Sequence, residues 1–217
     1  MRNDLIDYLA HRLKRPLPGR KAQYSMAHVV RRSRQSPPDD AKQAGVLSLF
    51  YPKQGDWYLV LIERMSNNLQ DRHRGQISFP GGKREKEDDS LLQTALREAE
   101  EEVGVPSRLV KPLGKLTELY IPVSNFLVQP FVGFTEKTPS FSPEPLEVKS
   151  IIEVPLSLLL DPKTVKTTSI RLTDNMTLQH VPYYDVYGNV VWGATAMMLS
   201  ELLEIIAESD IDRLSEL

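Results

Sequence analysis

A run of acidic residues near the middle of the chain has the spacing needed to hold a divalent cation. Glu98, Glu101 and Glu102 follow Arg97 within the sequence REAEEEVGV. On a helix each residue turns about 100°, which places Glu102 at roughly +40° and Glu101 at roughly −60° from Glu98. The three carboxylates are therefore expected on one side of the helix within one turn. They would lie at the border of its apolar stripe, neither buried nor remote from it.

Three carboxylates so close to one another repel, which raises their pKa values and costs helix stability. A hard divalent cation such as Mg²⁺ or Mn²⁺ removes this penalty, because these ions prefer oxygen ligands. The alternative is an acidic helix face that is merely solvated. Two features favour the cation site: Gly81-Gly82 lets the backbone approach closely, and Arg97 can pair with Glu101 at i,i+4.

The helix that carries the acids is predicted over residues 90–103. Ser90 with Gln93 has the form of a capping box, and Gly104 is a C-terminal stop. Further helices are predicted at 5–13 and 194–207, with a loop from Pro16 to about Asp40. Alternating or short apolar runs predict strands at 46–51, 57–62, 76–79, 116–121, 127–134, 151–154, 169–172, 178–185 and 190–192.

This order of elements predicts an α/β fold of the mixed α+β kind, in which a mixed sheet lies between helices. Residues 1–40 are predicted to form a helix and a basic arm packed on a domain of residues 41–217. Nine Lys or Arg against two acids fall within residues 1–35. That arm is either a solvated surface or a positive collar that draws an anionic substrate toward the acidic centre.

Composition narrows the function classes. The 217 residues carry a net charge of −2, which argues against a dedicated nucleic-acid binder. There are no cysteines, so disulfides and thiolate metal sites are excluded, and a reducing cytoplasm is the expected location. No apolar run approaches the roughly 20 residues needed to cross a bilayer, so no membrane partner is expected.

The stretch from Gly82 to Val105 resembles the Nudix box, G-x5-E-x7-R-E-U-x-E-E-x-G-U, where U is apolar. The matching positions are Gly82, Arg97, Glu98, Ala99, Glu101, Glu102, Gly104 and Val105. There are two departures: Asp88 stands in place of the first Glu, and eight residues rather than seven separate it from Arg97. The resemblance implies a Nudix-type mixed β-sheet sandwiched between helices and metal-dependent hydrolysis of a diphosphate bond.

The resemblance also implies roles for individual residues. Glu98 and Glu102 are expected as the principal ligands of Mg²⁺ or Mn²⁺. Glu101 is expected as a further ligand or as a contributor to deprotonating the attacking water. Arg97 is expected to orient these carboxylates. Gly82, together with Gly81, is expected to bring backbone groups close to the metal and the substrate.

Three further stretches resemble the coenzyme A diphosphatase branch of this family: residues 72–82, 147–156 and 192–196. Within the first, Arg72 and Arg74 are expected to bind phosphate oxygens of the substrate as bidentate donors. One departure is that Asp71 stands where the branch usually has Arg. Glu147 is either a metal ligand or general base of the reaction, or an ordinary acid that precedes a strand.

The sequence thus predicts a diphosphohydrolase that cleaves coenzyme A or its thioesters to adenosine 3′,5′-bisphosphate and 4′-phosphopantetheine. One alternative is the same chemistry on a dinucleotide, a nucleotide sugar or a modified nucleotide. Another is a non-catalytic, nucleotide-sensing Nudix domain. The expected partner is a small nucleotide-type molecule, without nucleic acid or membrane, and a homodimer is left open.

Overall fold

The computed structural model describes residues 2–28, 36–65, 75–173 and 176–215. The helices in these ranges are α1 (Arg2–Arg12), α2 (Arg20–Ser25), α3 (Leu91–Val103), α4 (Leu156–Leu160) and α5 (Gly193–Ser215). The strands are β1 (Lys42–Lys53), β2 (Asp56–Arg64), β3 (Ile77–Ser78), β4 (Gly81–Lys83), β5 (Lys111–Lys115), β6 (Leu119–Ile121), β7 (Phe126–Phe134), β8 (Val148–Pro155), β9 (Val165–Thr173), β10 (Met176–Val186) and β11 (Asn189–Trp192).

Strand β1 is the centre of the larger sheet. It pairs antiparallel with β2 and β4 and parallel with β7. Strands β3 and β8 pair with β2, while β5 and β6 pair with β7. A smaller antiparallel sheet has the order β11-β10-β9. Parallel and antiparallel pairs therefore occur in one sheet, and the predicted mixed sheet with flanking helices is confirmed.

Both faces of the larger sheet are covered. Side chains of β1 alternate between faces, so Leu47, Leu49 and Tyr51 share one core with α3. Phe50 points the other way and belongs to the core that includes buried residues of α1 and α5. The helix with the acidic residues thus lies on the face opposite α1, α2 and α5. The described part of the basic arm is therefore separated by the sheet from those acids, which favours the reading as a solvated surface.

Helix α3 lies unusually close to the sheet at Gly45. A Cβ atom at this position would lie 2.3 Å from the carbonyl oxygen of Leu91 and 3.1 Å from the amide nitrogen of Ala95. Such distances leave no room for a side chain, so glycine allows the backbone of the strand and that of the helix to touch.

A buried carboxylate joins the N-terminal segment to the rest of the fold. Glu201 of α5 is fully buried. It accepts hydrogen bonds from the amide of Gly19 at 3.1 Å and from the Gln23 side chain at 2.9 Å. It also accepts from the hydroxyl of Thr117 at 2.6 Å and from the amide of the same residue. One side chain therefore fixes α2, α5 and the β5–β6 connection to one another.

The structure differs from the prediction in several places, among them the strand β5 and the helix α4, which were not predicted. The expected loop of residues 16–40 contains the helix α2. The expected strand 116–121 is shortened to Leu119–Ile121, because Thr117 turns its amide toward Glu201. Gly81 and Gly82, which were expected to form a turn, belong to the short strand β4, which pairs with β1.

No helix in the described part of the chain has the length and apolar character that a membrane crossing requires.

Candidate active site

Helix α3 begins and ends where its sequence predicts. The Ser90 hydroxyl accepts a hydrogen bond from the Gln93 amide at 3.2 Å, which caps the first turn. Gly104 is left-handed at φ 73°, and its amide donates to the carbonyl of Glu100. The Gln93 side chain accepts from the Asp89 amide rather than from that of Ser90, so only the Ser half of the expected capping box forms. These two ends fix where the acidic residues lie along α3.

Glu102 is buried, with only 1% of its side chain exposed. One carboxylate oxygen accepts from the Gly81 amide at 2.7 Å, and the other lies 3.1 Å from an Nη atom of Arg64. Burial raises the pKa of Glu102 to about 7, although the Gly81 amide and Arg64 act in the opposite direction. The prediction that this carboxylate is not buried is wrong, because Arg64 at the end of β2 and Gly81 of β4 lie against it.

Glu98 lies one turn earlier, directly against the glycines of β4. A Cβ atom on Gly82 would lie 2.4 Å from the Glu98 carboxylate, so the contact exists only because residue 82 is glycine. Burial is the main cause that raises the pKa of Glu98, and Arg97 opposes it. Gly81 has a φ of 149°, which also favours glycine. The two glycines therefore allow two carboxylates of α3 to approach the backbone of β4.

Arg97 is the central cation of the acidic turn. Its guanidinium contacts Glu101 at 2.9 Å, Glu98 at 3.1 Å and both carboxylate oxygens of Asp88 at 3.0 and 3.1 Å. The predicted i,i+4 pair with Glu101 is confirmed. With contacts to three acids, Arg97 has little freedom to move, and it holds Glu98 and Glu101 at a fixed separation.

Asp88, which binds Arg97, is itself held by several hydrogen bonds. It is buried, and it also accepts hydrogen bonds from the Glu85 amide and the Thr94 hydroxyl, each at 2.9 Å. The hydrogen bonds from Arg97 hold the pKa of Asp88 well below its usual range. Although this residue departs from the Nudix box in type and spacing, it makes a bidentate pair with the box arginine. The sequence showed an acid shortly before the helix, but the spacing did not show that Asp88 would pair with Arg97.

Asp88→Asn is expected to lower the free energy of unfolding at pH 7 by about 1–3 kcal/mol, because charge-assisted hydrogen bonds in a buried setting are lost. A carboxylate with a depressed pKa stabilises the fold above its ordinary pKa of 3.8 and loses that effect as the pH falls toward its folded value. The difference between wild type and variant should therefore shrink in urea titrations below that pH. A difference that stays constant with pH would contradict the assignment.

Glu101 and Glu147 are more open to solvent. The Glu101 side chain is 56% exposed, and its ion pair within the described ranges is with Arg97. Glu147 is exposed just before β8, yet its charge contributes to raising the pKa of both Glu98 and Glu102. The structure therefore brings Glu147 close to the acidic turn of α3, and its chemical role stays a prediction.

The donor atoms suit a hard divalent cation. Among the described residues, no three acidic, histidine or cysteine side chains are already gathered as a metal-binding group. Glu98 and Glu102 nevertheless offer carboxylate oxygens in a partly dehydrated setting, where burial raises both pKa values. Bound Mg²⁺ or Mn²⁺ would offset that cost, and Mg²⁺ commonly combines one or two carboxylates with water and substrate phosphates. The residues present fit such an ion.

The predicted phosphate-binding residues Arg72 and Arg74 lie outside the described residues, so their role stays a prediction. Arg64 was not among the predicted site residues. An arginine at the end of an apolar strand does not by itself identify a partner 38 residues further along the chain.

Several solved structures share this fold. These include RenU, a Nudix hydrolase from M. smegmatis, with a TM-score of 0.54, 17% identity and coverage of 77% of this chain and 87% of that one. A MutT/nudix family protein from Enterococcus faecalis has a TM-score of 0.50 and 10% identity, covering 87% of this chain and 73% of that one. At such identities the likeness concerns the fold alone.

A family model for the NUDIX domain matches residues 41–172, and the chain belongs to the Nudix hydrolase family. Similar curated proteins are named "Uncharacterized Nudix hydrolase NudL" in Yersinia pestis (strain Pestoides F) and in Yersinia pseudotuberculosis serotype O:1b (strain IP 31758). Each is 36% identical over 149 residues, which cover 68% of this chain and 72% of the relative.

Proposed function

We propose that this Nudix hydrolase cleaves the diphosphate bond of coenzyme A or its thioesters, giving adenosine 3′,5′-bisphosphate and 4′-phosphopantetheine. The observation that carries the diphosphate chemistry is the approach of the Glu98 and Glu102 carboxylates to the backbone of Gly81 and Gly82. The reaction class follows from that turn of α3, and the choice of coenzyme A rests on other segments.

In this proposal Glu98 and Glu102 hold Mg²⁺ or Mn²⁺, with Glu101 as a further ligand directly or through water. When bound, such an ion neutralises diphosphate oxygens and lowers the pKa of a coordinated water toward neutrality. Arg97 orients Glu98 and Glu101 through its contacts at 3.1 and 2.9 Å. Glu147 or Glu101 accepts the proton of the attacking water, since both carboxylates are exposed beside the acidic turn.

Coenzyme A as the substrate is supported by sequence resemblance beyond the box. Residues 72–82, 147–156 and 192–196 are similar to the coenzyme A diphosphatase branch. Coenzyme A carries a diphosphate and a 3′-phosphate, and Arg72 and Arg74 are suited to bind phosphate oxygens as bidentate donors. We propose a cytoplasmic location for this reaction; a homodimer and the domain boundary near residue 40 stay predictions.

A second candidate is the same hydrolysis on another nucleoside diphosphate derivative. The departure at Asp71 supports it, because an acid there places a negative charge beside the proposed phosphate-binding arginines. A non-catalytic nucleotide-sensing domain has less support, since Glu98, Glu101 and Glu102 are all present.

We expect incubation with coenzyme A and Mg²⁺ or Mn²⁺ to yield two products separable by chromatography, 4′-phosphopantetheine and adenosine 3′,5′-bisphosphate. A panel with NADH, ADP-ribose, a nucleotide sugar and an oxidised nucleoside triphosphate, scored by kcat/KM, compares the candidate substrates. Chelation with EDTA should abolish turnover of every active substrate. If coenzyme A stays intact with both metals while another member of the panel is hydrolysed, the second candidate replaces the first.

A further inference from the structure

Arg64 at the end of β2 contacts the proposed metal site without belonging to the Nudix box. Its guanidinium lies 3.1 Å from one Glu102 oxygen, while the other oxygen accepts from Gly81. The Glu102 side chain is 1% exposed, whereas that of Arg64 is 28% exposed. Arg64 therefore lies between a buried carboxylate and solvent.

The backbone of Arg64 is fixed, although its side chain has one described partner. Its amide donates to Gln76 at 3.0 Å and its carbonyl accepts from Gly75 at 2.9 Å. Pairing between β2 and β8 shifts register at this point, since Glu63 pairs with Ser150 but Arg64 pairs with Val148. Such bulges redirect side chains and are frequent beside active sites. The irregularity therefore fixes the position from which the guanidinium reaches Glu102.

Arg64 and Arg97 differ in how firmly their charges are held. Arg97 is held by Asp88, Glu98 and Glu101. Among the described residues, the Arg64 guanidinium contacts Glu102 as its side-chain partner. A guanidinium has five donors, and a single contact leaves most of them for other acceptors. Arg64 can thus leave Glu102 by rotating its side chain, whereas Arg97 would have to break several contacts.

We propose that Arg64 is a displaceable counter-ion of Glu102, which neutralises this carboxylate until a divalent cation binds there and then donates to a phosphate oxygen of the substrate. A cation that coordinates Glu102 at its Arg64-facing oxygen competes with that ion pair for the same negative charge. The planar guanidinium suits phosphate oxygens once it is released. This inference rests on the proposed function in one respect, namely that Glu102 is a metal ligand.

The test is Mn²⁺ binding measured by calorimetry without substrate, at about pH 8.5 so that protons do not compete for the buried carboxylate. Arg64→Ala should bind Mn²⁺ roughly 2- to 5-fold more tightly than wild type, because no neighbouring cation then competes for the Glu102 carboxylate. Arg64→Lys should fall between the two. Lys111→Ala, which removes an exposed cation that pairs with Glu136, is the matched control and should bind Mn²⁺ as wild type does.

The second readout is KM for whichever panel substrate the wild type hydrolyses. Arg64→Ala should raise KM roughly 10-fold or more, the loss expected for a charged hydrogen bond. Weaker or unchanged Mn²⁺ binding by Arg64→Ala would overturn the counter-ion role, as would tightening that persists in a Glu102→Gln background. An unchanged KM would overturn the phosphate contact. Intact coenzyme A beside normal Mn²⁺ binding would instead count against the proposed substrate.

Discussion

Glu98→Gln and Glu102→Gln are each expected to lower kcat/KM by a factor on the order of 10² or more, comparable with the loss of one major electrostatic stabiliser. Glutamine keeps the size of each side chain and one acceptor oxygen but removes the negative charge. The buried position of Glu102 makes the charge especially important, because only 1% of its side chain is open to water.

The same variants should lose much of their Mn²⁺ affinity in calorimetry while keeping their thermal unfolding temperature close to that of wild type. Glu102→Gln in particular should fold well, since a neutral side chain at a dehydrated position carries no desolvation penalty. The matched control is Glu100→Gln, which changes an exposed acid on the opposite side of α3. If both variants turned over substrate at the wild-type rate, α3 would not be the catalytic helix.

Glu201→Ala is expected to cause the largest loss of stability, at least about 3 kcal/mol of unfolding free energy, because several buried donors lose their acceptor together. The change leaves Gly19, Gln23 and Thr117 without the carboxylate that joins them. For a chain of this length each kcal/mol corresponds to roughly 2–4 °C, so the melting temperature should fall by roughly 6–12 °C.

Denaturant titration measures the effect, and Glu204→Ala is the matched control because Glu204 is an exposed acid on the same helix. Glu201→Gln should be intermediate, since an amide oxygen still accepts hydrogen bonds but its NH2 group meets donors. Limited proteolysis should cut the segment around α2 first in the alanine variant. A melting temperature within 2 °C of wild type, roughly the effect of a neutral surface change, would show that these bonds contribute little.

Local patterns in the sequence predicted the parts of the fold that depend on neighbouring residues. Ser90 and Gly104 set the ends of α3 as expected, since capping involves residues within one turn. The hairpin of β1 and β2 also follows from two apolar runs around a turn. By contrast, α2 was missed because the six residues RKAQYS show no apolar periodicity. Its position depends on Glu201, which lies far along the chain.

In the candidate site, too, local features were predictable and features that depend on distant residues were not. The i,i+4 pair of Arg97 and Glu101 was predictable from helix geometry, and so was the proximity of Glu98 and Glu102. The burial of Glu102 was not, because it depends on Arg64 and Gly81 from separate strands. A helical projection assigns an angle to each side chain, but it contains no information about which strand lies beside that angle.

The contact at Gly45 has a consequence for how this enzyme could diversify. Because strand and helix backbones touch there, the absence of a side chain at one position sets how deeply the whole helix is seated. A larger residue would lift Glu98 and Glu102 together relative to Gly81 and Gly82 of β4, without altering any proposed metal ligand. Substitutions beneath the helix could thus change the affinity for the metal. A comparison restricted to the proposed ligands would find no difference.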